Sequence, residues 1–238
     1  MPTQKTSINA TNSTPSLSRR AWAIVKFSRI PGWTFGPILF GIGLIHSEVL
    51  PKSMPALAKA ALQMSALSFP LCAIVFGVND VYDYESDLRN PRKKAEGMEG
   101  GILNPVFHKD VLTAAYWSSA IVMTAAMVCG EPQNVLANAV LVTLGWQYSS
   151  PPFRLKEIPV VDSISNGLIV FLAWFIGFSF SGRSIAEAPA KGYMMSLCTA
   201  GVHALGAVMD TEADRAAGQK TIAVVLGKRC AAIFAAMC

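Results

Sequence analysis

The chain has 238 residues, 52% of them apolar and 15% charged, with a formal net charge of +5. A soluble domain carries about 25% charged residues, so this composition excludes an ordinary water-soluble globule and points to a membrane protein. The positive balance calls for no nucleic-acid partner, because most of it falls in loops on one side of the predicted spans.

Residues 1–18 are polar, rich in Ser, Thr and Asn, and read as a disordered cytosolic tail; residues 19–238 read as one transmembrane domain. A helix that crosses a bilayer needs roughly 17–25 mostly apolar residues. Six stretches free of Asp, Glu, Lys and Arg meet that length, at about 30–47, 60–79, 111–130, 132–153, 163–182 and 192–209. A seventh begins after Arg229 and ends with the chain at Cys238. The expected fold is all-α, a multi-pass transmembrane bundle of six full spans and the start of a seventh, as in a C-terminally truncated fragment or a naturally short chain.

The basic residues give the orientation. Lys5, Arg19, Arg20, Lys26 and Arg29 precede span one; Arg89, Arg92, Lys93, Lys94 and Lys109 follow span two; Arg154 and Lys156 follow span four; Arg215, Lys220, Lys228 and Arg229 follow span six. These alternating segments hold all but Lys52, Lys59, Arg183 and Lys191 of the 20 basic residues. The positive-inside rule puts them, with the N-terminus, in the cytoplasm. The same face suits anionic lipid or an anionic substrate.

Two acidic clusters close two of the spans on that face. Asn79-Asp80-Val81-Tyr82-Asp83-Tyr84-Glu85-Ser86-Asp87 ends span two, and Asp210-Thr211-Glu212-Ala213-Asp214 ends span six. D-Y-E-S-D and D-T-E-A-D share one pattern. Carboxylates are costly near lipid and mark functional sites there. On a continuous helix Asp80, Asp83 and Asp87 stand at i, i+3 and i+7, with Asn79 at the edge of their face, and Asp210 and Asp214 stand at i and i+4. Two like charges about 6 Å apart repel by roughly 3 kcal/mol at an effective dielectric near 20, so such a group needs cations. Hard oxygen ligands suit Mg2+, which is held by one or two carboxylates plus substrate phosphates. Glu85 and Glu212 fall between the aspartates, point elsewhere on an ideal helix, and are expected to pair with nearby Lys or Arg. A single D-x-x-x-D reads as a solvated helix end; two in register on one face do not.

Arg92, Lys93 and Lys94 follow the first cluster, and Arg215 and Lys220 the second. Beside metal ligands they would clamp a diphosphate and stabilise it as a leaving group. Gly97, Gly100 and Gly101 suggest a flexible cover in the same loop. The five cysteines read as small packing residues, with no CxxC pair. His46, His108 and His203 read as structural, with no zinc-ligand spacing.

At these residues the chain resembles the UbiA superfamily of intramembrane prenyltransferases. Both family signatures, N-D-x-x-D-x-x-x-D and D-x-x-x-D, are present. A third segment also matches: Tyr148-Ser149-Ser150-Pro151-Pro152-Phe153-Arg154-Leu155-Lys156, then Pro159, Asp162 and Asn166. The tail Gly218-Gln219-Lys220-Thr221 with Leu226-Gly227 continues the second signature. The run from Asp87 to Lys93 is most like the lycopene elongase branch and the UbiA-type terpene cyclases. It is less like the branch acting on 4-hydroxybenzoate, whose loop reads R-T-x-x-R-P.

The resemblance implies nine helices around a central cavity. It implies that Asn79, Asp80, Asp83, Asp87, Asp210 and Asp214 bind Mg2+ and, through it, the diphosphate of an isoprenyl substrate. Lys94, Arg154 and Lys220 are then expected to touch the diphosphate, and Tyr148 to lie near the ionising carbon, where a ring face stabilises a cation. Asp83, Asp87, Asp210, Asp214 and Tyr148 form the expected catalytic set. Some of Phe35, Phe69, Phe76, Trp146, Phe171, Trp174, Phe175 and Phe178 are expected to line the cavity.

The expected reaction is ionisation of an allylic diphosphate such as geranylgeranyl diphosphate. The prenyl cation, sheltered from water, passes to a lipophilic acceptor or, as the alternative, closes on its own distal double bond to give a cyclic terpene. A cation-coupled transporter is a third reading, disfavoured because the carboxylates lie at span ends.

Overall fold

The computed structural model describes residues 15–90, 93 and 101–238. Residues 1–14, most of the expected tail, lie outside them, as do Arg92, Lys94, Gly97 and Gly100. The described residues contain helices and turns and no strand.

Helix α1 (Leu17–Phe27) leads through a 3-10 turn (Ile30–Thr34) into α2 (Phe35–His46). Next come α3 (Met54–Ala66), α4 (Phe69–Cys72), a π turn (Ala73–Gly77), α5 (Val78–Tyr82) and α6 (Tyr84–Asp87). From Met54 to Tyr82 they form one nearly continuous rod of 29 residues. Helices α7 (His108–Cys129), α8 (Pro132–Gln147), α9 (Val161–Ser179) and α10 (Ala190–Ala217) follow, and α11 (Ile222–Val225) and α12 (Lys228–Met237) complete the chain.

Four segments are long and apolar enough to cross a bilayer: Met54–Tyr82, Pro105–Cys129, Val161–Ser179 and Ala190–Ala217. The other two expected spans are shorter. Ile30–His46 is interrupted at its start by the 3-10 turn holding Pro31 and Gly32, and α8 stops after 16 residues because Pro151 and Pro152 follow within a turn. The exposed faces are apolar, with Tyr116, Trp117, Ile121 and Met127 on α7 and Leu136 and Val140 on α8, the side-chain chemistry of a lipid-facing surface.

Helix α9 is the central element. Residues 170–179 are all buried, and α2, α8 and α10 pack around it. Glycines set the α2–α9 distance. A Cβ added to Gly43 would collide with the Trp174 carbonyl, and one added to Gly177 with the Phe40 carbonyl, the close backbone approach typical of helices packed in lipid. Phe171, Trp174, Phe175 and Phe178 stack on one another in this core.

Amides tie α3 and α8 to α9. Gln63 Nε2 donates to Asn134 Oδ1 at 2.5 Å, and Asn134 Nδ2 donates to the Ile176 carbonyl at 2.7 Å. Asn138 Nδ2 donates to the Asn134 carbonyl at 2.9 Å. All three side chains are buried, so each removes a polar cost the others would bear.

Candidate active site

A cavity of 480 Å3 opens where α5, α6, the α8–α9 loop and the C-terminal half of α10 converge. The walls come from the first acidic cluster, from α10 and from the loops that follow α8 and α10. Asn79, Asp83, Ser86 and Asn90 line it from the first cluster. Asn79 and Asp83 stand at i and i+4, and Tyr82, Glu85, Asp87 and Arg89 line the cavity beside them. Asp210, Asp214 and Ala217 line it from α10, at i, i+4 and i+7. The structural match therefore pairs Asn79 and Asp83 with Asp210 and Asp214. The sequence repeat had paired Asp83 and Asp87 with them, one helical turn further on.

Of the predicted face of Asp80, Asp83 and Asp87, the last two line the cavity and Asp80 does not. Asp80 is fully buried and held by Arg29 Nη2 at 3.2 Å and Lys93 Nζ at 3.1 Å. Arg29 is fixed from the other side by the Phe76 ring, 4.5 Å from its guanidinium carbon. Asp87 remains at the edge of the wall, buried, with Lys93 Nζ 3.3 Å from its carboxylate. Burial pushes the Asp87 carboxyl up to about 6, with Lys93 opposing the rise.

Lysine 156 has the role that the sequence did not reveal. It sits on a 3-10 turn (Leu155–Glu157) entered through Arg154 in a left-handed conformation, φ 44°. Its backbone N–H donates to the Tyr148 carbonyl at 3.1 Å, folding the loop back on the end of α8. The ammonium forms an ion pair with Asp83. Burial lowers the Lys156 ammonium to about 8. Sequence had used Lys156 only for orientation; its place in the third matching segment was the available signal.

Arg154 lines the cavity and pairs with Glu157, Nε to Oε1 2.8 Å. Lys220 lines it from the segment after α10. That segment turns back because Gly218, at φ 75°, takes the left-handed cap that favours glycine. The Gln219 N–H then donates to the Asp214 carbonyl at 2.9 Å, and Thr221 Oγ1 donates to Asp214 Oδ2 at 3.3 Å. Lys94 lies outside the described residues. Tyr148 lines the cavity, and its hydroxyl accepts from Asn166 Nδ2 at 2.9 Å.

Three other expectations are corrected. Glu85 lines the cavity instead of pointing away; Glu212 does pair with cations, 3.6 Å from Arg215 and 3.7 Å from Lys228. The aromatic side chains at the wall are Tyr82 and Tyr148. The eight expected Phe and Trp rings lie elsewhere; those of α9 are in the packed core, Trp174 against His46 of α2 and Gly192 of α10, and Phe171 stacked on Tyr193 of α10. His203, expected to be structural, lies at the wall. His46 is structural, accepting from Trp174 Nε1 at 3.1 Å. All five cysteines are free thiols.

Among the described residues, no three His, Cys, Asp or Glu side chains group closely enough to ligate one ion by themselves. The donor set nevertheless fits Mg2+ of the substrate-bridging kind. Asp83, Asp87 and Asp214 are buried carboxylates on one cavity, joined by Asp210 and Asn79, and the donors are oxygens. An ion held by one or two carboxylates and completed by phosphates and water needs no cage of three. Asn79 Nδ2 donates to Ser149 Oγ at 2.9 Å, which leaves the amide oxygen as the group for the cavity.

Known proteins resemble the chain in sequence and in fold. The chain is 35% identical over 162 residues to a lycopene elongase/hydratase of Corynebacterium glutamicum, covering 67% of this chain and 55% of that protein. It is 34% identical over 170 residues to a C(50) beta-cyclic carotenoids biosynthesis protein of Dietzia, covering 71% and 39%. To a lycopene elongase/hydratase of Halobacterium salinarum it is 31% identical over 216 residues, covering 84% and 70%. The chain thus spans between about two fifths and just over half the length of the first two of these curated relatives. In fold it is similar to a UbiA homolog from Archaeoglobus fulgidus bound to DMAPP and Mg2+, with a TM-score of 0.64, 24% identity and coverage of 90% and 69%. A UbiA homolog from Aeropyrum pernix K1 gives a TM-score of 0.70 at 20% identity, covering 88% and 74%. The model of the UbiA prenyltransferase family matches residues 34–238. This all-helical, multi-pass integral membrane chain belongs to the UbiA prenyltransferase family.

Proposed function

We propose that the cavity binds an allylic isoprenyl diphosphate with Mg2+, releases pyrophosphate, and transfers the prenyl group to an acyclic carotenoid such as lycopene. The observation that carries this is the pairing of Asn79 and Asp83 with Asp210 and Asp214 across one cavity whose other wall is basic. Asn79, Asp83, Asp87, Asp210 and Asp214 would hold the metal, which supplies charge neutralisation for the leaving diphosphate. Lys156, Arg154, Lys220 and Lys93 add positive charge at the phosphate end, with Lys94 proposed beside them. Asp80 serves by holding Arg29 and Lys93 in place. The ring of Tyr148 faces the carbon that ionises.

The relatives support a carotenoid acceptor. Three proteins 31–35% identical are named for lycopene elongation or C(50) carotenoid formation. Dimethylallyl diphosphate is the preferred donor to test, since a UbiA homolog of this fold is described as binding it; geranylgeranyl diphosphate is the longer comparison. The positive-inside pattern supports a cytosol-facing phosphate end, with residues 1–18 as a cytosolic tail.

The test is incubation of the full chain in detergent with each diphosphate and Mg2+, with and without lycopene. Adducts that need lycopene support transfer. A cyclic hydrocarbon formed without it would replace transfer by cyclisation. Mg2+-independent behaviour, or no diphosphate consumption, would remove the reading altogether.

A further inference from the structure

Below the aspartates the cavity wall holds a polar cluster that binding of a diphosphate does not use. His203 lies two turns before Asp210 on the same face of α10, about 10 Å deeper by helical rise, and both line the cavity. His203 Nδ1 is 3.1 Å from Ser163 Oγ. Asp162, beside Ser163 at the start of α9, is buried to 1% exposure. Its Oδ1 accepts from the Ser163 N–H at 2.6 Å, while Oδ2 has no hydrogen-bond partner. Asp162 lines the same cavity as His203 and Tyr148. A buried carboxylate with an unmet oxygen is costly, and a positive charge arising next to it offsets that cost.

We propose that His203 accepts the proton that the reaction must release, with Ser163 orienting its ring and Asp162 stabilising the imidazolium; this rests on the prenyl-transfer reading of the cavity. The chemistry balances as follows. The C1–O bond of the donor breaks and its electron pair leaves with pyrophosphate. The π pair of an acceptor double bond forms the new C–C bond to C1, leaving a tertiary cation on the acceptor. A C–H bond next to that cation breaks, its electrons become a new C=C, and the proton goes to His203 Nε2. Nδ1–H donating to Ser163 Oγ would leave Nε2 with the lone pair that this step needs. The rival base, pyrophosphate, is held at the aspartate end of the same helix, whereas the acceptor cation forms deeper in the cavity.

The experiment uses the full chain in detergent with Mg2+, dimethylallyl diphosphate and lycopene. It measures pyrophosphate, alkene adduct and hydroxylated adduct together. In His203→Gln the adduct cation survives until water captures it. Both the pyrophosphate released per alkene adduct and the hydroxylated-to-alkene ratio should rise about tenfold or more. Asp162→Asn should move both ratios the same way by less, and added imidazole should restore alkene in His203→Gln. Unchanged ratios overturn the proposal. So does a parallel fall of pyrophosphate and adduct with the ratios constant, which marks a structural role, and so does a wild-type adduct that is wholly hydroxylated. A wild-type chain that releases no pyrophosphate sinks the cavity reading itself, and the inference with it.

Discussion

Asp83, at the end of the second predicted span, and Lys156, in the loop between α8 and α9, form an ion pair inside the cavity. The carboxylate proposed to meet a divalent ion is thus neutralised by a lysine in the protein alone. In the proposed function, binding of metal and diphosphate would exchange one partner for another, with Asp83 free to hold the metal and Lys156 to meet phosphate. Lys156→Met should therefore raise KM for the diphosphate about tenfold, roughly 1.4 kcal/mol. Lys156→Arg should recover part of the loss. An unchanged KM in Lys156→Met would confine Lys156 to a structural role.

The two stripes make Asp83 and Asp214 counterparts. Asp83→Ala and Asp214→Ala are expected to lower Mg2+-dependent pyrophosphate release by about 100-fold each. EDTA should abolish release and Mg2+ should restore it. Retention of full activity by either variant would break the two-sided site.

Asp80 behaves differently because it is buried between two cations. Asp80→Asn leaves Arg29 and Lys93 without their shared carboxylate and should cost about 3 kcal/mol of stability, read as a lower melting temperature in detergent. Asp83→Asn should lose activity with a smaller change in melting. If Asp80→Asn melts like the wild type and loses only Mg2+ affinity, Asp80 is a ligand after all.

The α2–α9 contact has no room for a methyl group at Gly177. Gly177→Ala should destabilise the fold by about 1–3 kcal/mol through overpacking. Gly41, with open space at its Cβ position, is the control on the same helix pair: Gly41→Ala should melt within a degree or two of the wild type.

Much of this was legible in the sequence because hydropathy and charge are strong local signals in a membrane protein. Four of the six expected spans and the gathering of Asp83, Asp87, Asp210 and Asp214 on one cavity followed from them, and the family from the spaced motifs. The register did not. D-Y-E-S-D and D-T-E-A-D align by residue type, yet which side of a helix faces a cavity is fixed by packing. Arg29 beneath Asp80 and the π turn before Val78 belong to that packing. Lys156 was hidden for a related reason: a loop lysine reads as an orientation signal until its backbone is seen folding onto Tyr148. The aromatic stripe of α9 fits a cavity wall or a helix interface equally well by periodicity, and the glycines of α2 decide for the interface.

The buried amides have a consequence for assembly. Gln63 and Asn134 are 71 residues apart in sequence, and α3 is synthesised well before α8. An amide in hydrocarbon has no water to turn to. In the fold the Gln63 amide of α3 is met by Asn134 of α8, and Asn134 in turn donates to the Ile176 carbonyl of α9. Gln63 thus makes the seating of α3 depend on a helix that comes later in the chain. Gln63→Leu would remove that dependence while leaving the apolar pattern of α3 intact.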